Sequence, residues 1–136
     1  MKGDYGVRAV LDLAERYGQG PVQSESIARR QQISEAYLDQ LLTLLRRAGL
    51  VRSVRGPRGG HELARPAETI SILEVLSALE GSFLPSGPEG DLPAVRVQQE
   101  LWRRVHDETE RILRETTVQD LLERQRSLVA PPRYYI

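Results

Sequence analysis

The sequence predicts a mainly α-helical fold with a small β-wing, namely a winged helix-turn-helix followed by a long C-terminal dimerisation helix. The first observation is an amphipathic helix over 34–48 with leucines on one face. The second is a pair of short strand-like runs, 50–54 and 61–64, which flank a loop rich in Gly, Pro and Arg. The third is a late amphipathic stretch over 94–116. A hairpin with protruding arginines directly after an amphipathic helix is typical of the wing in DNA-binding domains.

The composition bounds the class of protein. A chain of 136 residues fits one domain with an appended oligomerisation element. Its net charge is zero, but residues 1–65 carry eleven basic and seven acidic side chains, whereas residues 66–136 carry eight and twelve. A local basic patch can bind phosphates even on a neutral protein. The chain has no cysteine and no apolar run as long as a membrane span or a signal peptide. We therefore expect a soluble, cytoplasmic protein without disulfides or thiolate chemistry.

The first helix is predicted at 4–17, because apolar residues recur at three- and four-residue spacing before the break at 18–21. Tyr5 and Arg8 lie near its start. There the tyrosine hydroxyl and the guanidinium can reach a DNA phosphate, but packing of Tyr5 in the core fits the sequence equally well.

The second helix is predicted at 24–31, with Ser24 as the N-cap, because a serine oxygen can accept from a free amide of the first turn. A tight turn at 32–33 then leads to the third helix. Two short helices joined in this way are typical of a helix-turn-helix, whose second helix enters the major groove.

The third helix carries the expected base-reading surface. Ser34 is its expected N-cap, and Gly49 follows where a helix needs a left-handed stop. The residues expected to face the core are Leu38, Leu41, Leu42 and Leu45. The other side carries the candidate DNA contacts Glu35, Ala36, Tyr37, Gln40, Thr43 and Arg47. The two helix-start serines, Ser24 and Ser34, are candidate DNA contacts as well.

Several candidates on this helix have a chemical partner in DNA. Gln40 can pair with adenine, Ala36 can touch a thymine methyl group, and Glu35 can accept from cytosine. Arg47 lies at the helix end, where it either contacts a phosphate or complements the helix dipole. Tyr37 either packs in the core or contacts a phosphate.

In the predicted wing, Arg52, Arg55 and Arg58 are the candidates for contacts with the DNA backbone or the minor groove, whose negative potential attracts arginine. Gly56 and Gly59 allow the chain to turn tightly and to approach the sugar-phosphate backbone. The alternative is an ordinary Gly-rich surface hairpin.

Over nearly its whole length the chain resembles the Rrf-type (type two) winged-helix repressors. The runs that carry the resemblance are Tyr5–Val10, Tyr37–Leu42, Leu45–Val51, Ser53–Gly56, Gly59–Gly60, Leu63–Pro66 and Thr116–Leu122. A minor departure is His61, which stands where the family usually has tyrosine. The resemblance implies a homodimeric repressor that binds a palindromic operator in double-stranded DNA.

The second departure concerns the family's sensor. Many members hold an iron–sulfur cluster through three cysteines in the loop after the fourth helix. Here the fourth helix is predicted at 72–79, with a capping box of Ser71 and Glu74, and the following loop at 82–93 has no cysteine. We therefore expect no cofactor and no metal, and the histidines His61 and His106 are too far apart in sequence to suggest one. The signal is then an unknown small-molecule or protein effector, or the protein acts constitutively.

The long helix is predicted at 94–116, directly after Pro93. In the family this helix forms the dimer interface, although the same apolar stripe can also pack on its own domain. Thr117 is the expected cap of a short last helix at 118–127. The expected interface residues are Leu101, Trp102, Val105, Ile112 and Leu113.

These predictions divide the chain into three parts. They are the winged helix-turn-helix domain at 1–80, a loop at the sensor position at 81–93, and the dimerisation helix, last helix and tail at 94–136. The expected function is a sequence-specific DNA-binding transcriptional regulator, and no motif predicts an enzyme. Two alternatives stay open: a winged-helix module that binds protein instead of DNA, and a ligand sensor with a pocket near Phe83, Leu84 and Trp102.

Overall fold

The computed structural model describes residues 2–81 and 87–129. In this part of the chain, six α-helices and one two-stranded sheet follow in the predicted order, and each predicted end lies within two residues of the observed one. The elements are α1 (Lys2–Glu15), α2 (Ser24–Gln31), α3 (Glu35–Arg47), β1 (Val51–Val54), β2 (Gly60–Leu63), α4 (Ile72–Glu80), α5 (Pro93–Glu115) and α6 (Val118–Val129), with a 3-10 turn at Ala67–Thr69. The mainly α-helical winged helix-turn-helix is confirmed.

The leucine face of α3 forms the centre of the core. The buried leucines are Leu38, Leu41, Leu42 and Leu45, as predicted. The Ser34 side chain accepts a hydrogen bond from the Tyr37 amide at 3.2 Å, and Gly49 adopts a φ of +77°, so both predicted ends of the helix are confirmed. Because this face is buried, the opposite face of α3 must point outward.

The N-cap prediction for α2 is wrong by one position. Gln23 occupies the N-cap and its side chain makes no capping bond, while Ser24 is the first residue of the helix. The Ser24 hydroxyl donates to Glu35 Oε1 at 3.3 Å instead. The serine therefore links α2 to α3 rather than capping its own helix.

The wing is an antiparallel hairpin whose register pairs Val51 with Leu63 and Ser53 with His61. A third segment joins it through an isolated bridge, in which Val22 and His61 exchange backbone hydrogen bonds of 2.8 and 2.7 Å. A Cβ atom on Gly60 would lie 2.5 Å from the Val22 carbonyl oxygen. The base of the wing is therefore fixed to the segment that precedes α2.

The C-terminal elements return to the same core. The Ser71–Glu74 capping box of α4 is present, and the Asp120 amide donates to Thr117 Oγ1 at 3.0 Å at the start of α6. Both predicted caps are thus confirmed. Val118 and Leu122 of α6 are buried against the α1–α4 core. The three-part division of the chain stays a prediction.

The helix α5 contacts α4 but adds no buried residue to this core. None of its residues is buried against the described part of the chain. Four of its predicted interface residues are exposed, whereas Leu113 packs half-buried against the core of its own chain. The exposed four are Leu101, Trp102, Val105 and Ile112. The predicted pocket residues Phe83 and Leu84 lie outside the described residues.

Candidate nucleic-acid interface

The outward side of α3 presents the predicted base-reading residues. Glu35, Ala36 and Gln40 are exposed in the first half of the helix, which is the part of a recognition helix that reads bases. Thr43 is half-buried, and its hydroxyl donates to the Asp39 carbonyl oxygen at 2.8 Å. The hydroxyl proton of Thr43 is therefore engaged within the helix, whereas Ala36 and Gln40 are open to a ligand. Glu35 is exposed and accepts from the Ser24 hydroxyl.

A shallow groove of about 300 Å³ runs beside this row of residues. Lys2, at the start of α1, and Arg47, at the end of α3, contribute cationic side chains to it. Lys2 was not among the predicted DNA contacts, because a single lysine at the start of a helix is not part of any repeating sequence pattern. The groove is lined by Lys2, Tyr37, Gln40, Leu41, Thr43, Leu44 and Arg47.

An aromatic cluster joins the starts of α1 and α3. The rings of Tyr5 and Tyr37 meet edge to face, with centroids 5.6 Å apart and an interplanar angle of 85°. The Arg8 guanidinium carbon lies 4.6 Å from the centre of the Tyr5 ring. Such contacts fix the direction of each ring. Both tyrosines therefore pack, as one of the two sequence interpretations expects, and phosphate contact by their hydroxyls stays a prediction.

The wing divides the predicted arginines into two groups. Arg52 forms an ion pair of 2.7 Å with Glu62 on the neighbouring strand. Arg55 and Arg58 are exposed and form no ion pair with a carboxylate in the described part of the chain. The turn between them is closed by a 2.9 Å hydrogen bond from the Gly59 amide to the Gly56 carbonyl oxygen. Two of the three wing arginines are thus free to meet phosphates.

A buried carboxylate supports the helix-turn-helix from behind. Asp12 of α1 is 2 % exposed and accepts two hydrogen bonds from Arg30, of 2.9 and 2.8 Å, and one of 3.0 Å from Gln31. Burial alone would raise the pKa of Asp12, but these bonds and the charges of Arg16 and Arg30 outweigh it and hold the pKa below its ordinary value. The charged form of Asp12 therefore ties the C-terminal end of α2 to α1.

A second groove, of about 470 Å³, lies between the tip of the wing and the α1–α2 connection. Three arginines contribute to it, of which Arg16 and Arg30 are held by Asp12, while Arg58 comes from the wing. The groove is lined by Arg16, Gln19, Gly20, Pro21, Val22, Gln23, Ser26, Arg30, Pro57, Arg58 and Gly59.

The wing and α3 are joined by polar side chains. Arg46 Nη1 donates to Ser53 Oγ at 3.1 Å, so the last turn of α3 contacts β1. The row on α3 and the free wing arginines therefore belong to one connected surface. This combination of an outward helix and a basic hairpin matches the two-part contact of winged helices, with the helix in the major groove.

Comparisons with known proteins agree with this geometry. The profile of the Rrf2 family, described as an iron-dependent transcriptional regulator, matches residues 1–124. The helix-turn-helix-type transcriptional regulator CymR of Bacillus subtilis is 40% identical over 121 residues, which cover 88% of this chain and 86% of CymR. The regulator IscR of Cereibacter sphaeroides is 37% identical over 133 residues, covering 91% and 86%. The solved structure of IscR from T. potens superposes with a TM-score of 0.85 at 40% identity, covering 98% of this chain and 92% of that one.

The residues of this chain do not fit the iron–sulfur cluster that the family resemblance implies. Thiolates hold such clusters, and the sequence contains no cysteine. Within residues 2–81 and 87–129, no group of three His, Asp or Glu side chains is placed to hold a metal ion. His106 lies near Asp107 and Glu110 at 3.7 and 3.6 Å, which is an ordinary exposed helix-surface arrangement.

Over the same described residues, no helix combines the length and the apolar character needed to cross a membrane. The profile match covers nearly the whole chain, and the relatives are regulators rather than enzymes. The winged helix, its exposed recognition face and these likenesses lead to one assignment. The chain belongs to the Rrf2 family of helix-turn-helix transcriptional regulators, and it is a DNA-binding protein, not an enzyme.

Proposed function

We propose that the protein is a homodimeric repressor that binds a palindromic operator, with α3 in the major groove and the wing against the neighbouring backbone. The observation that carries this proposal is a pair of exposed arginines, Arg55 and Arg58, which form no ion pair with residues 2–81 or 87–129, on a hairpin bonded to the end of α3. From Ala36 to Arg47 the exposed row is about 16 Å long at 1.5 Å per residue. That length suits insertion into a major groove about 12 Å wide.

The direct test removes both wing arginines. The double variant R55A/R58A is expected to lose two phosphate contacts, which lowers the steepness of the log–log salt dependence by about 1.8. At about 0.15 M salt this corresponds to an affinity loss of roughly 30-fold, for specific and random duplexes alike. The matched control is R126A, which removes an exposed arginine from α6. Unchanged affinity of R55A/R58A would show that the wing does not contact DNA, whereas a fall confined to one sequence would assign the arginines to base reading.

The homodimer is proposed to form through α5. Its exposed fractions are 53% for Leu101, 42% for Val105 and 57% for Ile112, which is unusual for large apolar side chains on one helix face. Burying the remainder of each is worth about 1 kcal/mol per side chain. The variant L101E/V105E should therefore sediment as a monomer at a concentration where the wild type is a dimer. The control L128E alters a leucine on α6 that is more exposed still, at 68%, and should leave the mass unchanged. A dimer that survives L101E/V105E would move the interface elsewhere.

The signal is proposed to be an effector or partner that needs no thiolate, because the chain has no cysteine. Operator affinity of protein purified with and without iron under anaerobic conditions should be the same. An iron-dependent change would require a non-thiolate site.

A winged-helix module that does not bind DNA is not favoured by the family assignment. Because a transcriptional regulator acts where its DNA lies, the protein is proposed to act in the cytoplasm.

A further inference from the structure

A polar pair occupies the angle between the wing and α3. Val51 and Leu63 form the buried end of the hairpin, and the next pair on the same face of the two strands is Ser53 with His61. Ser53 is exposed and His61 is half-buried. Their polar groups lie at the edge of the core, beside the last turn of α3.

The hydrogen bonds of this pair form a short chain. Arg46 Nη1 donates to Ser53 Oγ at 3.1 Å, and Ser53 Oγ lies 3.1 Å from His61 Nδ1. Arginine can only donate, so the serine proton is free to be donated to the imidazole. In that arrangement His61 accepts at Nδ1 and is neutral. Burial lowers the pKa of His61, and the Arg46 charge adds to this against the opposing effect of Asp39, which is consistent with a neutral ring.

The backbone of His61 is fixed from the other side. Its amide donates to the Val22 carbonyl oxygen at 2.7 Å, and its carbonyl oxygen accepts from the Val22 amide at 2.8 Å. His61 therefore touches three parts of the fold at once: the hairpin, the segment before α2 and, through Ser53, the end of α3. A hairpin with strands of four residues has little rigidity of its own.

We infer that Ser53 and His61 are positioning residues, which hold the wing at a fixed angle to α3 so that Arg55 and Arg58 meet the DNA backbone while α3 lies in the major groove. This inference rests on the proposed function of the wing. When α3 and the wing belong to one rigid body, binding of α3 in the groove places the wing at a high effective concentration near the DNA backbone. A wing that pivots loses that advantage although it keeps every arginine.

The test uses conservative pairs of variants. S53A removes the hydroxyl, whereas S53T keeps it on a residue suited to a strand. H61L removes the acceptor, whereas H61N keeps an oxygen near the position of Nδ1. S53A and H61L are expected to weaken operator binding by roughly 5- to 30-fold, bounded by the wing contribution, and to flatten the salt dependence. S53T and H61N should stay within about twofold of the wild type. Thermal unfolding of all four variants identifies any that fail to fold.

A double-mutant cycle separates positioning from general stability. In the R55A/R58A background, S53A should change operator affinity less than twofold, because the groups that it positions are gone. An equal loss from S53A in both backgrounds, or wild-type affinity and salt dependence in S53A, would overturn the inference while leaving the wing contact intact. Unchanged binding by R55A/R58A itself would overturn the wing contact and the positioning role together.

Discussion

Replacing Asp12 with Asn is expected to lower the free energy of unfolding by about 3 kcal/mol at pH 7, because it breaks a buried ion pair. The side chain is 1% exposed, and its oxygens accept three hydrogen bonds of 3.0 Å or less from Arg30 and Gln31. Asparagine keeps the shape and one acceptor oxygen. Whichever of the two positions its amide nitrogen takes, that donor faces an N–H of Arg30, which can only donate, so at least one bond becomes a repulsive contact.

The magnitude follows from the exposure of the partners. Removing one member of a fully buried ion pair costs about 3–5 kcal/mol. The side chains of Arg16 and Arg30 are 28% and 32% exposed, so water can hydrate the released guanidinium groups in part and about 2–4 kcal/mol is expected. For a chain of this length the loss corresponds to a melting temperature lower by roughly 10 °C.

The assay is urea unfolding, followed by circular dichroism at one protein concentration, at pH 7 and at pH 3. The pKa of Asp12 in the folded protein lies below its ordinary value, so its contribution is complete above the unfolded value of about 3.9 and is lost as the pH falls through the folded value. The difference between wild type and D12N should therefore shrink at pH 3. The control D4N removes an exposed carboxylate from the same helix and should cost under about 0.5 kcal/mol.

Two results would refute this reasoning. A loss below about 1 kcal/mol at pH 7 would mean that the Asp12 pair contributes no more than a surface ion pair. A loss of the same size at both pH values would mean that the carboxylate charge is not responsible, and that shape or packing explains the effect.

Three further variants test the recognition helix and the core. Ser34→Ala removes the bond to the Tyr37 amide and should lower stability by about 1 kcal/mol in urea unfolding; no loss would mean that the cap is redundant. Gly6→Ala places a Cβ atom 2.1 Å from Leu79 Cδ1 and should lower the free energy of unfolding by about 1–3 kcal/mol. The double variant G6A/L79A should lose less stability than the two single variants lose together, because L79A removes the clashing atom; strict additivity would argue against a direct clash. Gln40→Ala should cost roughly 1–3 kcal/mol at one base pair, measured by competition with singly substituted operators; an unchanged sequence preference would exclude Gln40 as a base reader.

The recognition helix and the wing could be predicted because their signals are local. A serine cap, four leucines on one face and a glycine stop define α3 within a single stretch of chain. The wing follows from a basic Gly-rich loop between two apolar runs. In both cases the residues that form the element also mark its ends, so no distant contact is needed to place them.

The contacts that brace this surface could not be predicted, because they depend on register and on distant packing. An aspartate on a helix is ordinarily exposed, and only the approach of α2 brings Arg30 to Asp12. The pairing of Arg52 with Glu62 requires the strand register. The bridge between Val22 and His61 involves one residue on each side, which leaves no periodic pattern in the sequence. Leu113 turns inward from a stripe whose other members face out, and nothing in the spacing distinguishes it.

Helix α5 is held by backbone hydrogen bonds at its C-terminal end, so a small change of tilt there moves its N-terminal end by a larger distance. Its C-terminal end is pinned where Ile72 donates to the Thr116 carbonyl oxygen and Val118 donates to that of Ile70, both at 2.8 Å. From this pivot its 23 residues reach about 34 Å at 1.5 Å per residue, so a tilt of about 10° moves the far end by roughly 6 Å. Half-sites on DNA repeat at about 34 Å per helical turn. In the proposed dimer joined through α5, substitutions at this end of the helix would therefore change the spacing between half-sites that the two recognition helices can span.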